Sequence, residues 1–96
     1  MSDAADPGCR ADVWLWRARF FKTRALACRA VEEGRVRLTR GGAETRLDKA
    51  SRLLRPGDVL VFALGGRAVS VRYEQAGERR GPAPEARTLY TDLAPA

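Results

Sequence analysis

Arg17, Arg19, Lys22, Thr23, Arg24, Arg35 and Arg37 crowd into residues 17–37, with Arg10 and Lys49 on either side. Side chains of these types hold anions. Arginine presents a planar fork of donors that matches phosphate oxygens in pairs, and lysine offers a compact point charge. Trp16 and Phe20 lie inside the same stretch. Aromatic faces beside cations are what a protein needs to stack an unpaired RNA base between phosphate contacts. The rival role for the two rings is core packing against the terminal segment, since large aromatics are more often buried than displayed.

Other chemistries find no residues to carry them. The chain has no histidine, so no Ser–His or Cys–His nucleophile pair can form. It holds neither a phosphate-cradling G-x-x-x-x-G-K-[ST] nor a dinucleotide-binding G-x-G-x-x-G run. Gly41-Gly42 and Gly65-Gly66 suit hairpin turns better than phosphate loops. Asp48 and Asp58 sit in turn-like context, where aspartate bonds local backbone, and nothing marks a pocket around Lys49. No catalytic residue is expected. Cys9 and Cys28 are the two cysteines. They fall short of the four ligands of a zinc site, and a disulfide between them is disfavoured in a reducing compartment. Cys9 is expected to be a mobile thiol and Cys28 a small filler. No metal and no cofactor is expected.

Charge distribution strengthens the anion reading. Net charge is +6, yet residues 10–55 alone hold thirteen Lys/Arg against five Asp/Glu. The remainder is slightly acidic. A basic half on a near-neutral frame is the electrostatic footprint of a partner that is a polyanion.

These side chains must be positioned by local structure. Ala11, Trp14, Leu15, Ala18 and Phe21 repeat at helical spacing, which predicts a helix from Arg10 or Asp12 to Phe21, with Asp12 as N-cap or first-turn acid. Thr23 is placed to cap a second helix ending near Glu33, with Leu26, Ala27, Ala30 and Val31 as its apolar stripe and Gly34 as its stop. Arg35–Thr39 alternates charged and apolar residues, as a half-buried strand does. A Gly41-Gly42 turn then leads to a return strand at Glu44–Leu47. Pro56-Gly57-Asp58 turns into the strand Val59–Ala63, and Gly65-Gly66 into Ala68–Tyr73. Gln75–Pro84 reads as loop and Pro84–Leu93 as a short helix. The helix-two N-terminus, with its orphan N–H groups, should meet the basic side chains at one end of the sheet.

The run Arg10-Ala-Asp12-Val-Trp14-Leu15-Trp16-Arg17-Ala-Arg19-Phe20-Phe21-Lys22-Thr23-Arg24, followed by Glu33-Gly34-Arg35-Val36, resembles the RNA-binding domain first named for ribosomal protein S-four. Within that superfamily it is most similar to the ribosome-associated, fifteen-kilodalton heat-shock family. Glu78-Arg79-Arg80, Pro82-Ala83, Glu85-Ala86 and Leu89-Tyr90 add to the likeness. The resemblance implies an α-L motif whose RNA face includes Arg10, Lys22, Thr23, Arg24, Arg35 and Arg37. It also implies an association with large ribosomal subunits stalled on a nascent chain. Three departures stand out. Thr39-Arg40 precede the Gly41-Gly42 turn where the family has Asn-Gly. Lys49-Ala50-Ser51 replaces its Lys-Pro-Ser, and its long basic C-terminal extension is not expected after Ala96.

The sequence therefore predicts an α+β domain: two antiparallel helices packed on a small twisted antiparallel sheet, with a short C-terminal helix. Residues 1–9 are expected to be a flexible N-terminus, 10–75 the RNA-binding domain, and 76–96 a C-terminal loop and helix. The expected partner is structured RNA, ribosomal RNA of the large subunit, bound by a monomer in stalled-subunit rescue or heat-shock recovery. Two other roles stand beside it: the resemblance also implies an accessory subunit of an RNA-modifying enzyme, and the basic face suits a protein-interaction module. No run is long and apolar enough to cross a membrane, and Met1–Gly8 lacks the order of a secretory signal, so a cytoplasmic location is expected.

Overall fold

The structure is a computed structural model that describes residues 6–93. Its elements follow in the order β1 (Cys9–Arg10), α1 (Ala11–Arg17), α2 (Arg24–Glu32), β2 (Val36–Arg40), β3 (Ala43–Leu47), β4 (Leu53–Leu54), β5 (Val59–Leu64), β6 (Arg67–Tyr73), α3 (Ala83–Ala86) and β7 (Tyr90–Asp92), with a 3-10 turn at Arg87–Leu89 before the last strand. Five strands form one antiparallel sheet in the order β3-β2-β5-β6-β7, and β1 pairs with β4 in a separate ribbon. The architecture is mixed helix and antiparallel sheet, in agreement with the α+β expectation.

Alternation along the strands decides which sheet face meets the helices. Val36 and Leu38 of β2, Leu60 and Phe62 of β5, and Val71 and Tyr73 of β6 are buried against Trp14, Leu15, Ala27, Ala30 and Val31. Arg37, Val61 and Ser70 are in register across the opposite face, because successive side chains of a strand point to opposite sides. Trp14 is fully buried. Its indole N–H donates to the Gln75 carbonyl at 2.9 Å, and its ring stacks on Tyr73 with centroids 5.1 Å apart.

Both helices end in the same backbone device, but with different residues. At the end of α2, Gly34 has φ +75; its N–H bonds the Val31 carbonyl and the Arg35 N–H bonds that of Ala30. At the end of α1, Arg19 has φ +68; its N–H bonds the Trp16 carbonyl and the Phe20 N–H bonds that of Leu15. These are two Schellman motifs. The sequence announces the first with glycine and conceals the second behind an arginine. For that reason α1 stops at Arg17 and not at Phe21 as expected. The two hairpin turns behave as read: Gly41-Gly42 and Gly65-Gly66 all have positive φ, as a two-residue turn matched to strand twist requires.

The ends of the chain depart from expectation. Of the segment expected to be flexible, residues 1–5 lie outside the described residues, but Asp6 is anchored. It accepts hydrogen bonds from the Tyr73 hydroxyl at 3.0 Å and the Ala76 N–H at 2.7 Å. Cys9 follows in β1, buried opposite Leu54, so it is not a mobile thiol. At the other end the expected helix Pro84–Leu93 gives way after Ala86. Tyr90–Asp92 becomes an edge strand on β6, with Tyr73 facing Tyr90 and Val71 facing Asp92. Aromatic and β-branched residues favour that extended pairing, and Leu89 enters the main core. The terminal segment is thus an integral part of the sheet domain. Leu26, expected in the buried stripe of α2, is 43% exposed.

Candidate nucleic-acid interface

Among the described residues, the start of α1 has no side-chain cap. Its first N–H groups find partners elsewhere: Ala11 donates to the Arg52 carbonyl at 2.9 Å and Asp12 to that of Ala50 at 3.1 Å. These bonds lay the Lys49–Arg52 connection beside the first turn of α1. Asp12 itself is buried. Its carboxylate accepts from Arg10 Nε and Nη2, both at 3.1 Å, and from Arg24 Nε at 3.3 Å. Arg10 and Arg24 come from β1 and from the first turn of α2, yet one carboxylate holds both. Their side chains remain 46% and 51% exposed. The hydrogen bond to Asp12 raises the Arg10 pKa above its ordinary value.

Thr23 caps α2 as read from the sequence. Its side-chain oxygen accepts from the Leu26 N–H at 3.1 Å, which satisfies one of the donors orphaned at a helix start. Lys22 and Thr23 are exposed immediately before Arg24. The first site therefore gathers Arg10, Lys22, Thr23 and Arg24, with Lys49 and Arg52 exposed on the adjoining connection.

Arg35 and Arg37 stand apart from that group. The nine residues of α2 run from Arg24 to the turn before Arg35, a rise of roughly 12 Å. Arg37 occupies the sheet face turned away from the helices. Each makes one loose ion pair, Arg35 with Glu33 at 3.2 Å and Arg37 with Glu44 at 3.7 Å, between side chains all more than half exposed. The single surface expected from the sequence is thus resolved into two.

Four further residues serve as struts and core. Arg17 donates to the Gly77 carbonyl at 3.0 Å and Arg19 to that of Gly81 at 2.8 Å. Both arginines tie α1 to the C-terminal segment. Phe20 packs among Tyr90, Phe62 and Trp14, with ring centroids 4.7, 5.2 and 6.1 Å away. Trp16 is half-buried, and its carbonyl receives Arg80 Nε at 3.1 Å. Core packing against the terminal segment describes Phe20 directly.

No protein-family model matches the chain. It is 33% identical over 88 residues to the heat shock protein 15 homolog of Haemophilus influenzae, and 36% identical over 85 residues to heat shock protein 15 of Escherichia coli. Those matches cover 92% and 88% of this chain but 63% and 60% of the relatives, so the chain spans about three-fifths of their length. Among solved structures, heat shock protein 15 of Vibrio cholerae, described as trimeric, superposes with a TM-score of 0.79 at 36% identity, covering 91% of this chain and 83% of that one. The chain belongs to the heat shock protein 15 family.

As a heat shock protein 15 relative it carries three features that residue types alone did not disclose. Asp12 looks in the sequence like a cap acid and in the structure organises two arginines. Arg46 lies over Gly34, where an added Cβ would stand 3.0 Å from its Cδ, so glycine also suits that site for want of room. Arg40 bonds the buried Asp58 in bidentate fashion, at 2.9 and 2.7 Å, and reaches the Leu53 carbonyl at 3.0 Å. That contact pins the β2–β3 hairpin to the turn before β5. Among the described residues no group of three or more His, Cys, Asp or Glu is placed to hold a metal, and no helix is long and apolar enough to cross a membrane.

Proposed function

We propose that the chain is an RNA-binding protein that acts on ribosomal RNA of the large subunit, in stalled-subunit rescue or heat-shock recovery in the cytoplasm. The observation that carries this reading is the shared Asp12 carboxylate. It fixes Arg10 and Arg24 side by side at the helix-two N-terminus. Preset guanidinium groups lose less freedom when they meet a phosphate, which is where ordering costs fall in binding. The exposed Lys22, Lys49 and Arg52 extend the positive field around them. The pair of helices on a twisted sheet is read as an α-L motif, and membership of the heat shock protein 15 family supplies the stress context. The reading involves no catalytic step, cofactor or metal. We take a monomer as the binding unit, because Arg10, Asp12 and Arg24 all come from one chain.

Fluorescence anisotropy with large-subunit ribosomal RNA fragments tests it. Binding should weaken with salt at a log–log slope of roughly −2 to −4, as three to five phosphate contacts imply. Arg10→Gln with Arg24→Gln keeps donors for Asp12 but removes the charges. The slope should then flatten by about one unit for each phosphate that is no longer neutralised. Unchanged affinity in that double variant, measured at a temperature where circular dichroism shows it folded, would refute the site.

A further inference from the structure

β2 and β5 part company early. Their pairing covers Arg37↔Val61, Leu38↔Leu60 and Thr39↔Val59, whereas β5 stays paired with β6 out to Leu64↔Arg67. Beyond Arg37 the chain turns back through Arg35 and Gly34 into α2, so among the described residues no strand lies beside the β2-facing edge of Ala63 and Leu64. A cleft of about 430 Å³ opens there, lined by Arg35, Arg37, Val61, Ala63, Arg67 and Ala68 among others. That volume lies in the range of roughly 300–1,000 Å³ where proteins bind small ligands.

The chemistry of the lining is divided. Val61, Ala63 and Ala68 make a flat apolar floor, since the last two face each other across β5 and β6. Three arginines stand at the rim, and no acidic side chain among the described residues lines the cleft. Among the described residues Arg35 and Arg37 are tethered only by exposed ion pairs, a kind of contact that contributes little and yields readily to a better anion. No ion pair to Arg67 occurs among the described residues. The open backbone edge adds hydrogen-bonding groups beside the floor. It is too short for the strand addition by which extended peptides bind, but ample for one planar ring with polar edges.

We propose that this cleft takes one unpaired nucleotide of a bound RNA. The base lies on the Val61–Ala63–Ala68 floor, its edge meets the free backbone of β5, and its flanking phosphates meet Arg35, Arg37 and Arg67. The inference rests on the RNA-binding reading and adds a second contact at the open edge of β5, apart from Arg10 and Arg24. It gives the molecule a means of preferring RNA with single-stranded segments over uniform duplex.

Two RNAs test it: a blunt stem-loop, and the same stem-loop with a single-stranded 3′ tail. The tail should tighten binding of the full chain roughly fivefold, about what removing some 40 Å² of apolar surface from water contributes. Arg67→Ala and Ala63→Glu should each abolish that advantage and leave blunt stem-loop binding unchanged. Both positions are exposed. A readout on the unaltered chain guards against misfolded variants: 4-thiouridine in the tail should crosslink within residues 61–68 or 34–37. The proposal fails if the tail confers nothing, if the advantage survives both substitutions, or if crosslinks map elsewhere. Equal binding of both RNAs would overturn the cleft while RNA binding stands, whereas binding of neither would remove both readings. Retention of a polyglutamate peptide that Ala63→Glu releases, with no tail effect, would assign the cleft to an acidic protein and overturn the RNA occupant.

Discussion

Arg24 Nε stands 3.3 Å from Asp12 Oδ2, and this contact joins the first turn of one helix to the first turn of the other through a carboxylate only 3% exposed. The same carboxylate also holds Arg10. A buried charge with two partners tolerates the loss of one and not of both. Arg10→Ala and Arg24→Ala should each lower stability modestly, because the remaining guanidinium still compensates Asp12. The double variant leaves a buried carboxylate without a cation, so its loss should clearly exceed the sum of the singles. Urea denaturation of the four proteins measures that coupling, and additivity within about 0.5 kcal/mol would show that the arginines act independently.

Arg19 adopts φ +68 at the position where α2 uses Gly34. A side chain in that region costs roughly 1–2 kcal/mol that glycine does not bear. Arg19 offsets part of this through its 2.8 Å bond to the Gly81 carbonyl. Arg19→Ala loses the bond and keeps the strain, whereas Arg19→Gly loses both. The glycine variant should therefore be the more stable of the two by about 1 kcal/mol, the reverse of their order inside a helix. Paired thermal melts check the sign.

The two helix ends show what the sequence could reveal. Thr23, Gly34 and the glycine pairs of the hairpins gave true boundaries because each residue type is itself the physical cause of its turn. The period-two run of β2 and the apolar run of β5 were equally legible, since alternation follows from the pleat. Arg19, Tyr90 and Asp6 were not. Arg19 takes a conformation its type disfavours, because Phe20 is drawn onto Tyr90 and Phe62. Tyr90 forms a strand only because β6 has a free edge. Asp6 is fixed because the buried Tyr73 hydroxyl and the Ala76 N–H, both distant in sequence, need an acceptor. At the candidate site, sequence supplied the cations but not their grouping. Register sends Arg37 to the far face of the sheet, and Asp12 gathers Arg10 and Arg24 from separate elements.

Asp58 is 2% exposed and accepts from both Arg40 and the Arg55 N–H. Its hydrogen bonds raise the pKa of Arg40. Arg40→Ala would leave that buried carboxylate with the Arg55 N–H as its one partner among the described residues. Removing one member of a buried pair costs about 3–5 kcal/mol. Arg40 is 35% exposed, so solvent already weakens the pair and about 2–3 kcal/mol is the expected loss. The urea midpoint should drop with the slope unchanged, since the surface exposed on unfolding stays the same. A fall below about 1 kcal/mol would mean that water replaces the guanidinium without difficulty.

Acid should loosen the C-terminal edge of the sheet. Glu74 accepts hydrogen bonds from Thr91 on β7 and from Arg72 on β6, and the two together hold its carboxyl below the ordinary glutamate range, Thr91 having the larger effect. Arg79 does the same for Glu85 ahead of β7. A carboxyl that binds its proton less tightly in the folded state favours folding wherever the unfolded chain would hold more protons. That contribution is fully present above the unfolded value of about 4.3 and disappears as pH falls through the lower folded value. Stability should therefore level off above about pH 5 and decline below about 4.3. Glu74→Gln keeps the side chain's shape but does not titrate, so it should make the acid decline shallower, and adding Glu85→Gln should flatten it further. Urea midpoints taken from pH 7 to pH 3 decide the matter: an acid limb as steep in the double variant as in the parent would show that the Thr91 and Arg72 contacts do not govern this edge.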